Sequence, residues 1–343
     1  MIILGDLACP NSDCAEQLIA DMRKCGIFKN QLVLCNLEGM IRDDEPYKDE
    51  KLFNHSKVLD AFEKDKTVFS LANNHTYDYP EYIVSTQKLL IQNGFYNVGI
   101  GEVSPILVES ENNKYAVFAH CWSVYTKTNS NTINDVIVTD CDYKTFAEVT
   151  IKFAKEHPEV RVVCYFHWNY DMEKIPFPAY RRLAHDLIDG GVYSVIGNHS
   201  HVPQGGEIYK NRAIVYGLGN FYIPSGCFFD RKLNYPAESK IMMVLELPEN
   251  TDIPLCHWFK TDCNAIEYIC SENFENGSII ATYSKYKNMD ESTYLSYFRQ
   301  NRVKKQLVPI FVQYSGVGYD IKERLAVDRI RLIKALKNRI RII

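Results

Sequence analysis

The chain has 343 residues, 46% of them hydrophobic and 24% charged, with a formal net charge of -4 and a pI near 6.2. That balance is ordinary for a globular protein and excludes the basic footprint of a nucleic-acid binder. No apolar run approaches the ~18 residues that span a membrane, and Met1–Asp6 lacks the basic region and apolar core of a signal peptide.

The eleven cysteines are odd in number and form no C-x-x-C pair, so a reducing, cytoplasmic location is expected. In chain order, Ile2-Ile3-Leu4 reads as a short buried strand ending at Gly5-Asp6, and residues 14–25 carry Leu18, Ile19 and Met22 at helical spacing. Leu32–Cys35 is a second strand ending at Asn36-Leu37-Glu38-Gly39, and residues 42–51 form a polar loop. Thr67–Leu71 is a third strand ending at Asn73-Asn74-His75. Asp78 is placed to cap a helix that starts near Pro80, buries Ile83, Leu89 and Leu90, and stops at Asn93-Gly94.

Tyr115–Ala119 continues the strand series, followed by an amphipathic helix over 142–156 with Phe146, Val149, Ile151 and Phe153 inward. Val160–Phe166 is a strand ending at His167-Trp168, and Pro178–Gly190 a helix with Leu183, Leu187 and Ile188 on one face. Val192–Ile196, bounded by glycines, is a strand opening into Asn198-His199-Ser200-His201, and Ala213–Tyr216 precedes Gly217–Phe221. Strand-like pattern returns at Lys240–Leu247 and Ala265–Cys270, and from about residue 289 the pattern turns helical. Such alternation indicates an α/β sheet whose ligands gather at the carboxyl ends of strands.

The residues at those ends are Asp6, Glu38, Asn74 with His75, His167, and His199 with His201. Four of the nine histidines follow apolar strands directly. Two carboxylates, a carboxamide and three imidazoles make a mixed N/O shell suited to one or two divalent ions, Mn, Fe or Zn. A pair of such ions can clamp a phosphoryl group, with His75 beside them as general acid. Each residue alone has a structural reading: Asp6 and Glu38 as turn residues, Asn73-Asn74 as turn chemistry, His167 as a packed core histidine. His120 ends a strand too and is kept in reserve; His55, His157, His185 and His257 receive structural readings.

Gly5-Asp6, Asn36-Leu37-Glu38, Leu71–His75 with Asp78, His167-Trp168, Gly197-x-His199-x-His201-Val202 and Tyr216-x-Leu218-Gly219-Asn220-Phe221 occur in that order. Together with Pro178–Gly190 and Gln204–Lys210 they resemble the motifs of CapA-type capsule and poly-γ-glutamate synthesis proteins, a branch of the calcineurin-like metallophosphoesterases. The resemblance covers about residues 1–270, which form the expected phosphoesterase-like domain; residues 271–343 form a mostly helical extension with a basic tail. It implies a four-layer α/β/β/α sandwich with the site between the ends of two sheets. It further implies that Asp6 and His201 hold one metal, that Asn74, His167 and His199 hold the other, and that Glu38 bridges them. Asn73, Trp168, Asn169, Asn198 and Asn220 are expected to line the substrate cleft. Ala8 stands where most catalytic superfamily members have a histidine, so the first metal site is short of a ligand; Asn169 and Asn198 also depart from the branch's usual Gly and His.

Two functions follow. One is a metal-dependent hydrolase of a small-molecule or polymer phosphoester in capsule or surface-polymer synthesis. The other is a non-catalytic assembly subunit that retains a structural metal. No Gly-x4-Gly-Lys-Ser/Thr loop is present to support a nucleotide-utilising ligase. From Asp320 onward eight basic residues stand against three acidic ones, with Ile333, Leu336, Ile340 and Ile343 at helical spacing and Leu332 beside them. That tail either packs on its own domain or docks on a membrane surface or membrane-bound synthesis machinery. Oligomeric state is left open.

Overall fold

The computed structural model describes residues 1–43, 51–129, 138–262, 264–303 and 308–340, of which 129 and 337–340 are described by backbone alone. Most of the expected 42–51 loop therefore lies outside the described residues. Two large sheets carry the fold. One runs, edge to edge, Ala265–Asn273, Leu255–Asp262, Ile241–Glu246, Ile2–Leu7, Val33–Leu37, Thr67–Ser70 and Tyr96–Val98, with Asn220–Tyr222 pairing alongside the end of Ile2–Leu7. The other runs Pro203–Tyr209, Arg212–Leu218, Ser194–Asn198, Val160–His167, Lys114–Cys121 and Ile106–Glu109. The central strands of each are parallel. Parallel strands are covered on both faces, which is why Ile2–Leu7 and Val33–Leu37 are buried at every position.

The inner faces pack on one another. Val163, Tyr165, Ile196 and Val215 of the second sheet share a core with Ile3, Leu34 and Val68 of the first, and the Tyr165 hydroxyl donates across the gap to the Leu4 carbonyl at 2.6 Å. Helices Ser12–Cys25 and Ile83–Gln92 cover the first sheet. Tyr143–Glu156, Pro178–Asp189, Glu291–Asn301 and Val317–Ile340 cover the second through an aromatic layer that includes Phe146, Tyr180, Phe298 and Tyr319. The result is the expected four-layer α/β/β/α sandwich. Local chemistry sets the helix ends: Asn11, Asp142 and Asp290 accept from backbone N–H groups of the first turns, and Gly26 ends Ser12–Cys25 at φ 75°.

Several expectations are corrected. Asp78 caps no helix: it ends a short 3-10 turn, Thr76–Asp78, and its carboxylate binds His75 instead. Val149 is 37% exposed, because the buried arc of its helix runs through Tyr143, Phe146, Ala147, Thr150 and Ala154. Pro203–Tyr209, where no strand is expected from the sequence, pairs with Arg212–Leu218 in an antiparallel hairpin. Its glycines hide the strand pattern yet are required, since a Cβ on Gly206 would lie 2.1 Å from the Ile214 carbonyl oxygen. In the last helix Tyr319, Ala326 and Val327 are buried, whereas Leu332 and Leu336 are exposed. The expected stripe is therefore not the packed one; of its members Ile343 lies outside the described residues and Ile340 is described by backbone alone. Among the described residues no helix is long and apolar enough to cross a membrane.

Candidate metal centre

Five parallel strands from the two sheets end at one place. Asp6 belongs to Ile2–Leu7, Glu38 follows Val33–Leu37, Asn74 and His75 follow Thr67–Ser70, His167 ends Val160–His167, and His199 and His201 follow Ser194–Asn198. Two close approaches bring the ends together. A Cβ on Gly5 would lie 1.9 Å from the Gly219 carbonyl oxygen, and one on Gly197 would lie 2.2 Å from that of Tyr216. Beyond Gly197 the backbone turns left-handed at His199 (φ 81°) and His201 (φ 54°), which brings both imidazoles into the cleft. Such conformations cost of order 1–3 kcal/mol each and cluster at functional sites.

Around His167 three lone-pair atoms converge. Its Nε2 lies 2.5 Å from Asn74 Oδ1 and 2.9 Å from His199 Nδ1. Two ring nitrogens at that separation share at most one proton, so the arrangement calls for a proton or a cation among them. On the other side Asp6 Oδ1 accepts from Asn36 Nδ2 at 2.8 Å, Oδ2 accepts from the His199 amide at 3.2 Å, and His201 Nδ1 lies 3.5 Å from Oδ2. Asn220 Oδ1, 2.7 Å from His201 Nδ1, fixes that ring so that Nε2 faces Glu38.

Glu38 sits between the two groups. Its Oε1 lies 3.7 Å from His167 Nε2 and 3.9 Å from both His75 Nε2 and His201 Nε2. The side chain is 0% exposed, and neither oxygen accepts a hydrogen bond among the described residues. Burial, reinforced by Asp6, pushes its carboxyl well above the usual range, and burial pushes the Asp6 carboxyl up too. Burial, with His201 and His75 nearby, pushes His167 well below the ordinary imidazole range. These are the shifts of a site that holds its charge poorly without a cation. Glu38, His167 and His199, and likewise Asp6, Glu38 and His201, each bring one ligand atom per residue within 4.8 Å of one another. This donor set fits divalent metals that take mixed N/O shells.

His75 lies at the rim. Its side chain is 17% exposed, and Asp78 Oδ2 holds Nδ1 at 2.6 Å, which leaves Nε2 facing the cluster. Aromatic rings roof the centre: Tyr125 at 4.4 Å from His199, Tyr235 at 5.2 Å from His201 and Phe229 at 6.4 Å from His75, centroid to centroid.

The predicted cleft residues separate. Asn220 and Asn198 are at the centre, the Asn198 amide fully buried. Asn73 is occupied: Nδ2 donates to Asn36 Oδ1 and the Leu37 carbonyl, and Oδ1 accepts from Gly39, His75 and Thr76. It builds the loop and has no capacity left for substrate. Trp168 faces away, stacked between Phe166 (4.4 Å) and Tyr180 (4.8 Å) on the outer face, because strand neighbours alternate and His167 points inward. Asn169 holds its own turn at φ 77°, accepting from the Tyr170 amide and donating to the Ile175 carbonyl. His120 binds the Cys141 carbonyl within the outer aromatic layer, where burial lowers its pKa to about 4. Asn36 was missed; a carboxamide inside the apolar run Val33–Leu37 was the available signal. Tyr125 and Tyr235 left no signal in sequence.

A family model described as bacterial capsule synthesis protein PGA_cap matches residues 13–225. The chain is 28% identical over 222 residues to the PGA biosynthesis protein CapA of Bacillus subtilis (strain 168), covering 58% of this chain and 55% of that one. It is 29% identical over 174 residues to the capsule biosynthesis protein CapA of Bacillus anthracis, covering 47% and 41%. The matches thus span about half the length of these relatives or less. Among solved structures, a putative 5'-nucleotidase from Staphylococcus aureus aligns over 86% of this chain and 56% of its own, with TM-score 0.42 and 11% identity.

Proposed function

The chain belongs to the bacterial capsule synthesis protein family, and from that premise we propose that it is a divalent-metal-dependent phosphoester hydrolase acting in the assembly of a capsule or other surface polymer. The observation that carries the reading is Glu38: a buried carboxylate that accepts no hydrogen bond among the described residues and is ringed by three imidazole nitrogens at 3.7–3.9 Å. A structural carboxylate would be paired; this one is placed to be shared by cations. In the proposal Asn74, His167 and His199 hold one ion, Asp6 and His201 the other, and Glu38 lies between. The chemistry that ions supply there is Lewis-acid stabilisation of phosphoryl oxygens and of an attacking nucleophile. His75 delivers a proton from Nε2 to the leaving oxygen, with Asp78 fixing its ring through Nδ1. Asn198 orients substrate from the floor, and Tyr125 and Tyr235 exclude water.

One observation favours the second reading, a non-catalytic assembly subunit. Ala8, where the resemblance would place a histidine, is enclosed by Leu52, Phe53, Ile223 and Phe228, so the Asp6 side has no substitute ligand there. The two readings part in one experiment. Chelated protein is titrated with Mn²⁺, Fe²⁺ and Zn²⁺ by calorimetry, then the loaded protein is screened against phosphomonoesters and phosphodiesters. Saturable binding with turnover supports the hydrolase; saturable binding without turnover across the screen supports the subunit; no binding sinks both.

A further inference from the structure

The helix Val317–Ile340 shows two apolar faces where a packed surface helix needs one. The inner face anchors it. Tyr319, Ala326 and Val327 are buried in the aromatic layer, and Trp122 Nε1 donates to the Tyr319 hydroxyl at 3.1 Å. Glu323 takes Lys127 at 2.7 Å and the Ser123 hydroxyl, and Arg331 donates to the Lys127 carbonyl at 3.0 Å. On the outer face Val317, Ile321, Leu325, Leu332 and Leu336 are 75%, 56%, 56%, 61% and 49% exposed. At about 100° per residue those five fall within an arc of roughly 100°, and the arc that holds Tyr319, Glu323, Ala326 and Val327 lies opposite it.

The flanks of that stripe are basic. By the same geometry Lys322 and Arg329 border one side and Arg324 the other, with Arg331 next to Arg324 but held by the Lys127 carbonyl. Asp328 is the only acidic residue within the stripe, three or four positions from both Arg324 and Arg331, the spacing at which helix charges offset one another. The whole chain is net negative at -4, whereas Asp320–Ile343 carries eight basic and three acidic residues. Positive charge is therefore concentrated in the segment of sequence that carries most of the exposed apolar side chains.

We propose that this outer face is a docking surface for an anionic lipid bilayer, the apolar stripe entering the headgroup boundary and the two basic borders meeting lipid phosphates. Charge decides between occupants. A second copy laid on the stripe would bring like-charged borders together, whereas anionic lipid complements both. The attachment is peripheral and screened by salt. The same helix is tied through Glu323 and Arg331 to Ser123–Asn129, whose Tyr125 roofs the candidate metal centre. Docking thus engages the element that covers the site, whatever reaction that site performs.

The test is co-sedimentation of the full chain with vesicles of phosphatidylglycerol and phosphatidylcholine, against vesicles of phosphatidylcholine alone. A second arm uses the triple variant Leu325→Glu, Leu332→Glu, Leu336→Glu, its fold checked by circular dichroism and thermal melting; the three positions are exposed, so the fold is retained. Binding to the anionic vesicles at low salt is expected, reduced about tenfold or more by 0.5 M salt and by the triple substitution. Negligible binding to anionic vesicles overturns the proposal. So does equal binding of parent and variant, which would place the contact elsewhere. A concentration-dependent dimer in sedimentation equilibrium, abolished by the triple substitution in a chain that ignores vesicles, would assign the stripe to a second copy and overturn it as well.

Discussion

Two glutamates are buried, Glu207 in the second sheet and Glu38 at a strand end of the first, and their surroundings differ. Glu207, on the outer face, has both oxygens occupied: Oε1 accepts from Arg181 Nε at 2.9 Å and the Tyr216 hydroxyl at 2.7 Å and lies 3.0 Å from His185 Nε2, while Oε2 accepts from Arg181 Nη2 at 2.9 Å. Burial alone would raise its pKa, but the His185 and Arg181 hydrogen bonds outweigh burial and hold it down at about 2. Glu38, at the inner strand ends, accepts no hydrogen bond among the described residues, and burial drives its pKa upward. One carboxylate has its counter-charge built into the chain and fastens Pro178–Asp189 to the hairpin and, through Arg181 and the Met289 carbonyl, to the carboxyl-terminal segment. The other has its counter-charge left out. A buried charge that the fold does not neutralise is one that a ligand is expected to neutralise.

The largest test of that contrast is catalytic. If the loaded protein is a hydrolase, His75→Ala lowers turnover by about 10²–10⁴ with bound metal unchanged, because a general acid is lost. His199→Ala lowers turnover and metal content together. His185→Ala, beside the neutralised glutamate, leaves turnover per folded molecule as it was. Steady-state rates with metal analysis on the same samples read all three; undiminished turnover in His75→Ala, where chemistry is limiting, would remove the acid from the mechanism.

Stability gives the next effect. Arg181→Met removes the bidentate cation from buried Glu207 and leaves it the Tyr216 hydroxyl and His185, at a cost of about 3–5 kcal/mol, read as a lower urea midpoint with unchanged slope. A loss below about 1 kcal/mol would mean that Glu207 reaches water and that the two clusters are less different than they look.

Acid titrates the same contrast. The folded Glu207 pKa is about 2 against an ordinary 4.5. Its contribution is complete above pH ~4.5, where both states are ionised, and is lost as pH falls toward ~2, where the folded carboxylate takes up its proton. Urea midpoints of chelated protein should therefore fall across that window by the equivalent of up to about 3 kcal/mol. In Glu207→Gln the fall should be smaller; the same fall in parent and variant would assign acid sensitivity to other carboxylates.

Much of the centre was legible because its residues interrupt apolar strands. Asp6 and His167 end buried runs and His199 follows one, and parallel strands gather such ends at one edge of a sheet. Where reading failed, a tertiary partner had replaced a local one. Asp78 precedes Pro80 at the spacing of a helix cap, yet the His75 imidazole at 2.6 Å takes its carboxylate. Trp168 was legible in principle, since His167 facing inward turns its neighbour outward. Asn73 looks like a ligand-type residue until the loop's hydrogen bonds are counted. The last helix carries two apolar arcs, and periodicity alone does not tell which one meets the aromatic layer.

The smallest effect is the one whose sign matters most. In metal-free protein Glu38 is a buried carboxyl group with no hydrogen-bond partner among the described residues, and an unmade bond of that kind destabilises by about 1–3 kcal/mol. Glu38→Gln keeps the shape, removes the charge, and brings two N–H donors toward Asn74 Oδ1 and Asp6, both acceptors at the centre. Chelated Glu38→Gln should therefore melt above the chelated parent by roughly 1 kcal/mol. With metal the order reverses. The parent gains about 2.7 kcal/mol at a hundredfold excess over Kd, and the variant, lacking the shared carboxylate, gains less. The equivalent exchange at the other cluster, Glu207→Gln, destabilises with or without metal, since it breaks the bidentate pairing with Arg181. Thermal melts of the three proteins, with chelator and with Mn²⁺ or Zn²⁺, read the signs directly. A chelated Glu38→Gln that melts below its parent would mean that the fold itself neutralises Glu38, and the distinction between the two buried glutamates would go with it.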